Sequence, residues 1–588
     1  MANHITVGTE PRDEFACRQA VEQNPKSGDA RLELAYALQA VDDPAEAVEQ
    51  CSRALELQPG LHDAARLLAS LMQRYALNED INISPRGLRA AFQFIDVDRQ
   101  SLSNAAIAYL TFNPPLSGIL ARGRAEGWRA AANDLLKGKS RKLLQDRLFR
   151  AALACGVNTD LEVEFLLTAL RERLLTAPEI LSSRQVYEFA CVLIRHCGNN
   201  DYVFLISETE QSLLDSLEFD VAAILEGDTV TVRSFILASL YKPVAELLDP
   251  SQTERNFDKV APRALRQVIA DSMEALRLET TAAADIPNLT PITDETSLRV
   301  AEQYKTAPYP RWLSLQTPLP GSAKQQLQAY FSNTQIEFLN NSPDVLIAGA
   351  GTCRQAVHSA IAYGPRANIL ALDLSTPSLA YGARMAPLLG ADNIRFAAAD
   401  ILRLGTIDLQ FDIIECGGVL HHMDAPYAAW RILLDKLRPG GIIQIGLYST
   451  ISRQVIETLA EDPDWPGAEA TDNALRTYRH RLMRRSPGDP GFELTQSIDF
   501  FATGDFRDLA LHVQEQRCSL PDIRDFLADN NLDFHGFILP PEVLEAYSDA
   551  YPADATPGTL DHWWEFEQSN PRTFDGMYMF WCRRPENE

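Results

Sequence analysis

The sequence has no uninterrupted apolar run approaching the roughly 20 residues that a membrane-spanning helix needs. It is also poor in positive charge: 54 Lys and Arg stand against 80 Asp and Glu, a formal net charge of −26. Basic density is confined to short stretches such as Lys137–Lys142 and Arg479–Arg485, which weighs against a polyanionic partner. Neither a nucleic acid nor a membrane is therefore expected as a partner. The nine cysteines include no Cys-x-x-Cys pair and no His/Cys cluster at metal-ligand spacing, so no metal site is expected. Scattered cysteines fit a reducing compartment. Met1–Arg12 has no apolar centre of the kind a signal peptide carries. The expected location is the cytoplasm.

What is present begins with an internal repeat. Cys17, Ala20 and Pro25 recur as Cys51, Ala54 and Pro59, an offset of 34 residues, and Asp29, Ala30, Leu34 and Ala35 recur as Asp63, Ala64, Leu68 and Ala69. Small residues at a fixed period let paired helices approach closely, and the proline ends each unit. This pattern over residues 12–78 resembles the tetratricopeptide repeat. Residues 85–279 read as helix after helix, for example Leu161–Leu175 and Val260–Leu278. Residues 280–297, rich in Thr, Ala, Asp and Pro, read as a linker.

From residue 343 the pattern changes to short apolar runs alternating with helical stretches, which implies a parallel α/β sheet. Val345–Ala348 runs directly into Gly349-Ala350-Gly351-Thr-Cys353, and two glycines so spaced permit a sharp turn and close ligand approach. The next strand, Ile369–Leu372, ends in Asp373, where a carboxylate can accept hydrogen bonds from ribose hydroxyls. A dinucleotide loop wants a third glycine at the position held here by Arg354, which disfavours NAD and FAD. Asn393–Phe396 leads to Asp400-Ile401, and Phe411–Cys416 leads through Gly417 to His421-His422. Leu437-Arg-Pro-Gly-Gly441 turns into Ile442–Leu447, and strands at Leu532–Ile538 and Gly576–Arg583 close the order.

Taken in sequence, these segments resemble the class I S-adenosylmethionine methyltransferase fold, seven strands with the last antiparallel. The whole chain is similar to bacterial proteins that join tetratricopeptide repeats to such a domain, on Gln303–Trp312, Leu511–Arg517 and Phe574–Trp581. The expected architecture is thus α + α/β multidomain. An α-helical N-terminal half precedes a cap segment (298–342) and a Rossmann-like methyltransferase domain (343–583) with a helical insertion (448–519) serving as a lid. An insertion of that length is usually functional.

The resemblance implies S-adenosyl-L-methionine as cofactor. Gly349, Ala350 and Gly351 would lie against its methionine part. Asp373 and Leu374 would lie at the ribose, Asp400 and Ile401 at the adenine, and Cys416 and Gly417 near the carboxypropyl tail. The acid often found two positions before the first glycine is Ile347 here, and the loop's usual last glycine is Cys353. Tyr304, among the aromatics and prolines of 304–312, is expected to cap a cationic donor. His421 and His422, where the acceptor would meet the donor, are the candidate general bases. The acceptor is expected to be a protein, or delivered by one, engaging the helical half; the alternatives are a methyltransferase of a small metabolite whose repeats serve assembly, and a non-catalytic methyltransferase-like interaction scaffold. The sequence leaves the oligomeric state open.

Overall fold

The structure, a computed structural model, describes residues 13–586 except 219, 227, 249–262, 307 and 555–557. The reading of Met1–Arg12 and the start of the helix expected at Val260 lie outside the described residues. No helix among the described residues is long and apolar enough to cross a membrane.

The chain opens with four helices, α1 (Glu14–Gln23), α2 (Gly28–Ala40), α3 (Pro44–Leu57) and α4 (His62–Arg74). Three of these begin under a side-chain cap: Asp13, Ser27 and Asp43 each accept a hydrogen bond from a backbone N–H of the first turn. Ala35, Cys51, Ala54, Ala64, Leu68 and Ala69, all positions of the 34-residue offset, are fully buried between them. Further helices continue one apolar core to Met273.

Residues 344–583 form a seven-stranded sheet of order β3-β2-β1-β4-β5-β7-β6. The strands are β1 (Asp344–Ala348), β2 (Asn368–Asp373), β3 (Ile394–Ala398), β4 (Phe411–Cys416), β5 (Leu437–Tyr448), β6 (Asp533–Phe537) and β7 (Met577–Arg583). β7 is antiparallel to both its neighbours; the other observed pairings are parallel. Both faces are covered, which is why the central strands read as continuous apolar runs. Leu346, Ile414 and Ile443 pack beneath Trp430 and Phe526. Val345, Ile369 and Ile413 pack on the other side with Val357 and Leu379. The order reverses between β1 and β4, and ligands of open α/β sheets bind outside the strand ends at such a switch.

Three expectations need correction. The turn expected at Leu437–Gly441 is a bulge within β5: register jumps from Phe411↔Leu437 to Ile413↔Ile442. Arg438 anchors it on Asp344 at 2.7 Å and Asp412 at 2.6 Å. The linker expected over 280–297 is structured, because helix Arg263–Asp285 runs through its Ala-rich start until Pro287 stops it. Pro287 and Leu289 then bond Ala398 at the end of β3.

The third concerns the insertion, which is more than a flap over the sheet. Leu475, Tyr478, Phe500 and Phe506 form a core of their own that includes Val157 of the helical half. Arg479 reaches Glu164 through two bonds of 2.5 and 2.7 Å, and both side chains are buried. Thr503 donates to the carbonyl of Asp201, and Arg476 to that of Tyr202. The helical half is thereby locked to the insertion.

Candidate active site

At the C-terminal ends of β1, β2 and β4 lies a cavity of about 330 Å³. Its floor is the loop after β1. Gly349 has φ +73° and a Cβ there would fall 2.3 Å from the Val419 side chain. Gly351 has φ +51°, with the Tyr309 carbonyl oxygen 2.6 Å from where a Cβ would stand. Only glycine combines these angles with such proximity. Cys353, at the usual position of a glycine, also adopts a left-handed conformation, φ +63°, which explains the preference for glycine there.

Asp373 organises this loop. Its Oδ2 accepts from the Gly351 N–H at 2.7 Å and its Oδ1 from Ser375 N–H at 2.8 Å. Burial pushes its carboxyl above the ordinary Asp value, and these amides work in the opposite direction. Leu374, Ala350 and Ile401 line the same cavity. Asp400 is buried, with Oδ1 bound by Leu402 N–H, while Oδ2 meets no partner. Asp400 itself is not among the residues lining the cavity, which is met there by its neighbours Ala399, Ile401 and Leu402, so the expected place of this acid at the adenine is not one the structure brings about.

The roof comes from outside the sheet. Helix Glu295–Thr306 turns Thr296, Ser297, Val300 and Tyr304 to the cavity, spaced as one face of a helix. The following segment is clamped to the glycine loop: Thr352 N–H donates to Tyr309 O, and Trp312 Nε1 to Thr352 O. Tyr304 Oη donates to Asp508 Oδ1 at 2.5 Å and lies 3.1 Å from His512 Nε2. Burial raises Asp508 to about 6, with the Tyr304 bond opposing.

The two sequence-predicted histidines part company. His422 lines the cavity; His421 does not. His421 is fully buried with its ring stacked on Tyr448, centroids 3.7 Å apart, and neither ring nitrogen meets a partner in good geometry. Burial pulls its basicity well below the usual histidine value. His422 bonds the Gln514 carbonyl through Nδ1 at 2.8 Å and stacks on His512 at 3.6 Å. Burial holds it down to about 4, so its ring is neutral at neutral pH.

His422, Asp508 and His512 offer ligand atoms within 4.8 Å of one another, a grouping that the sequence spacing did not show. They are tied together through other groups, since Nδ1 of both histidines meets the Gln514 carbonyl. The two rings are within 24° of parallel, so their lone pairs run side by side instead of converging, and the Tyr304 hydroxyl bonds the Asp508 carboxylate and contacts His512.

Cys416 is likewise absent from the lining: its side chain faces the apolar core on the other side of the sheet, and the cavity is met by Gly417, Gly418 and Val419. Tyr309, within the expected cap segment, lines the cavity, and sequence reasoning missed Arg354, Gln355, Met577 and Met579 at its wall. The two methionines alternate along β7, a period-two signal visible in the sequence. The others become neighbours only through folding.

Residues 346–445 match the family model described as a methyltransferase domain. An uncharacterized protein of Synechococcus sp. is 30% identical over 208 residues, 33% of this chain and 48% of that protein. The chain thus spans about half the length of this curated relative. Among solved structures, PKMT2 from Rickettsia typhi in complex with AdoHcy is similar at 15% identity, covering 50% of this chain and 54% of that one, with TM-score 0.31. N-methyltransferase NodS from Bradyrhizobium japonicum is similar at 11% identity, covering 45% and 90%, with TM-score 0.22. The assignment rests on the family match together with the strand order and the cavity: the C-terminal half carries an S-adenosylmethionine-dependent methyltransferase domain of Rossmann-like fold.

Proposed function

We propose that the whole protein methylates an acceptor that is a protein, or is delivered by one, and that its helical half docks that partner. The observation carrying this reading is the locking of the helical half, through buried bonds such as Arg479–Glu164, to the insertion whose Asp508 and His512 contact Tyr304 and His422 at the donor cavity. A partner held by the helices would sit beside the gate, and tethering raises local concentration to about millimolar, so a weak fit at the cavity suffices. The 34-residue offset supports reading α1–α4 as tetratricopeptide-like, a stack whose surface suits peptides. Phe15, Val41 and Leu57 stand exposed on or beside these helices and are the candidate contacts.

S-adenosylmethionine supplies a methyl group already activated on a sulfonium sulfur, so the protein's work is alignment and exclusion of water. Orientation of this kind contributes roughly 7–11 kcal/mol. The glycine loop and Asp373 set the donor's position, the cap helix and Tyr304 shield it, and His422 takes the acceptor's proton at Nε2. Alanine at His422 is then expected to lower turnover by about 10²-fold with donor affinity nearly constant. Alanine at His421, a packing residue, is expected to lower stability and donor affinity together with turnover. Equal loss of donor binding and turnover in the His422 variant would reassign that residue to packing.

The experiment for the function uses the full chain, labelled methyl donor and a lysate of the source cell. Label is expected in protein, with Phe15→Ser and Val41→Ser reducing it while donor affinity holds. Label confined to small molecules and unaffected by these variants overturns the docking reading. Absence of any transfer overturns the enzyme reading in favour of a scaffold.

A further inference from the structure

The methyl donor is a zwitterion at its amino-acid end, and one wall of the cavity holds a polar group not yet given a role. Gln355 stands in the first turn of helix Arg354–Tyr363 and lines the cavity. Its Nε2 donates twice, to Glu415 at 2.8 Å and to Gln444 at 2.7 Å. Glu415 is nearly fully buried and also accepts from Ser359 Oγ and Tyr363 Oη. An ionised carboxylate only accepts, so it must face the amide nitrogen of Gln355 and not its oxygen. Glu415 therefore fixes which way that amide points. The oxygen is left on the cavity side, 3.4 Å from where a Cβ on Gly417 would stand.

Strand register places this device where β1 offers nothing polar at the paired position. Glu415 on β4 pairs with Ile347 on β1, so the apolar β1 position and the carboxylate stand side by side at the strand ends. A carbonyl oxygen held this way is suited to a cation with several N–H donors and repels a carboxylate. Arg354, the adjacent residue at the same wall, has the opposite preference.

We infer that Gln355 Oε1, oriented by the buried Glu415, receives the α-ammonium group of the donor's methionine part. Gln355 is then a binding residue and Glu415 a positioning residue. The assignment rests on the reading of the cavity as a methyl-donor site. Its test uses two probes that share the adenosine and differ at the other end: S-adenosylhomocysteine, which has the ammonium, and methylthioadenosine, which lacks it. Calorimetry on the full chain is expected to show Gln355→Ala weakening S-adenosylhomocysteine about tenfold or more, the scale of a bond to a charged group, with methylthioadenosine unchanged. Glu415→Gln, nearly isosteric, removes the reason for one amide orientation and is expected to weaken the same ligand by a smaller factor, again sparing methylthioadenosine. Equal losses for both ligands in the Gln355 variant, or no loss for either, overturn the assignment. Failure of the unaltered protein to bind either ligand overturns the donor reading and the assignment with it.

Discussion

Glu164→Gln is expected to cost about 3–5 kcal/mol of stability, the scale seen when one partner of a buried ion pair is removed. Glu164 and Arg479 are 4% and 1% exposed, so neither charge has water to fall back on. The guanidinium forms a fork on both carboxylate oxygens, donates to the Phe500 carbonyl through Nε and stacks over the Phe500 ring. Glutamine keeps the shape but leaves the arginine charge buried and uncompensated. Urea unfolding followed by circular dichroism measures the loss. The double change Glu164→Leu with Arg479→Met should recover most of it, since apolar replacement of a whole buried pair is often neutral. A single-variant loss below about 1 kcal/mol, typical of an exposed pair, would show that the insertion is not fastened here. Because this bond spans the two halves, removing the helical half would strip the insertion of its support. Docking is better tested by surface variants than by truncation.

That bond also marks the limit of sequence reading. Glu164 and Arg479 are 315 residues apart, and nothing local to either announces the other. Gly349, Gly351, Asp373, Ile401 and Gly417 were legible because a strand end fixes their place and the fold requires little else of them. Cys416 and His421 were misplaced for a complementary reason. Position at a strand end does not say which face of the sheet a side chain takes, and a single residue's step reverses it. Glu415 and Cys416 illustrate this: one turns to the network under Gln355, the other into the apolar core. The insertion was legible in length, but its own core around Tyr478 and Phe500 depends on residues of the helical half. The roof was half legible. The aromatics of 304–312 stood out and Val300 falls within the expected cap segment, while Thr296 and Ser297 lie in the stretch that composition marks as linker.

Asp373→Ala is expected to weaken binding of the methyl donor by about 1.5–3 kcal/mol, roughly 10- to 150-fold. Two effects contribute. The carboxylate is placed to accept from the ribose hydroxyls, and charge-assisted bonds of this kind are about twice as strong as neutral ones. It also holds the Gly351 and Ser375 amides, so its removal frees the loop that carries the donor's methionine part. Asp373→Asn separates these effects: the amide oxygen can still accept from one backbone N–H, but the charge is gone. An intermediate loss is expected for it. The ribose is common to S-adenosylhomocysteine and methylthioadenosine, so the alanine variant should weaken both, S-adenosylhomocysteine by the larger factor because only it also engages the loop, in contrast to the sparing of methylthioadenosine expected at Gln355. Calorimetry with both ligands reads this directly. Unchanged affinity for both would mean that the acid at the end of β2 serves only as a turn anchor, and the assignment of the ribose to it would fall.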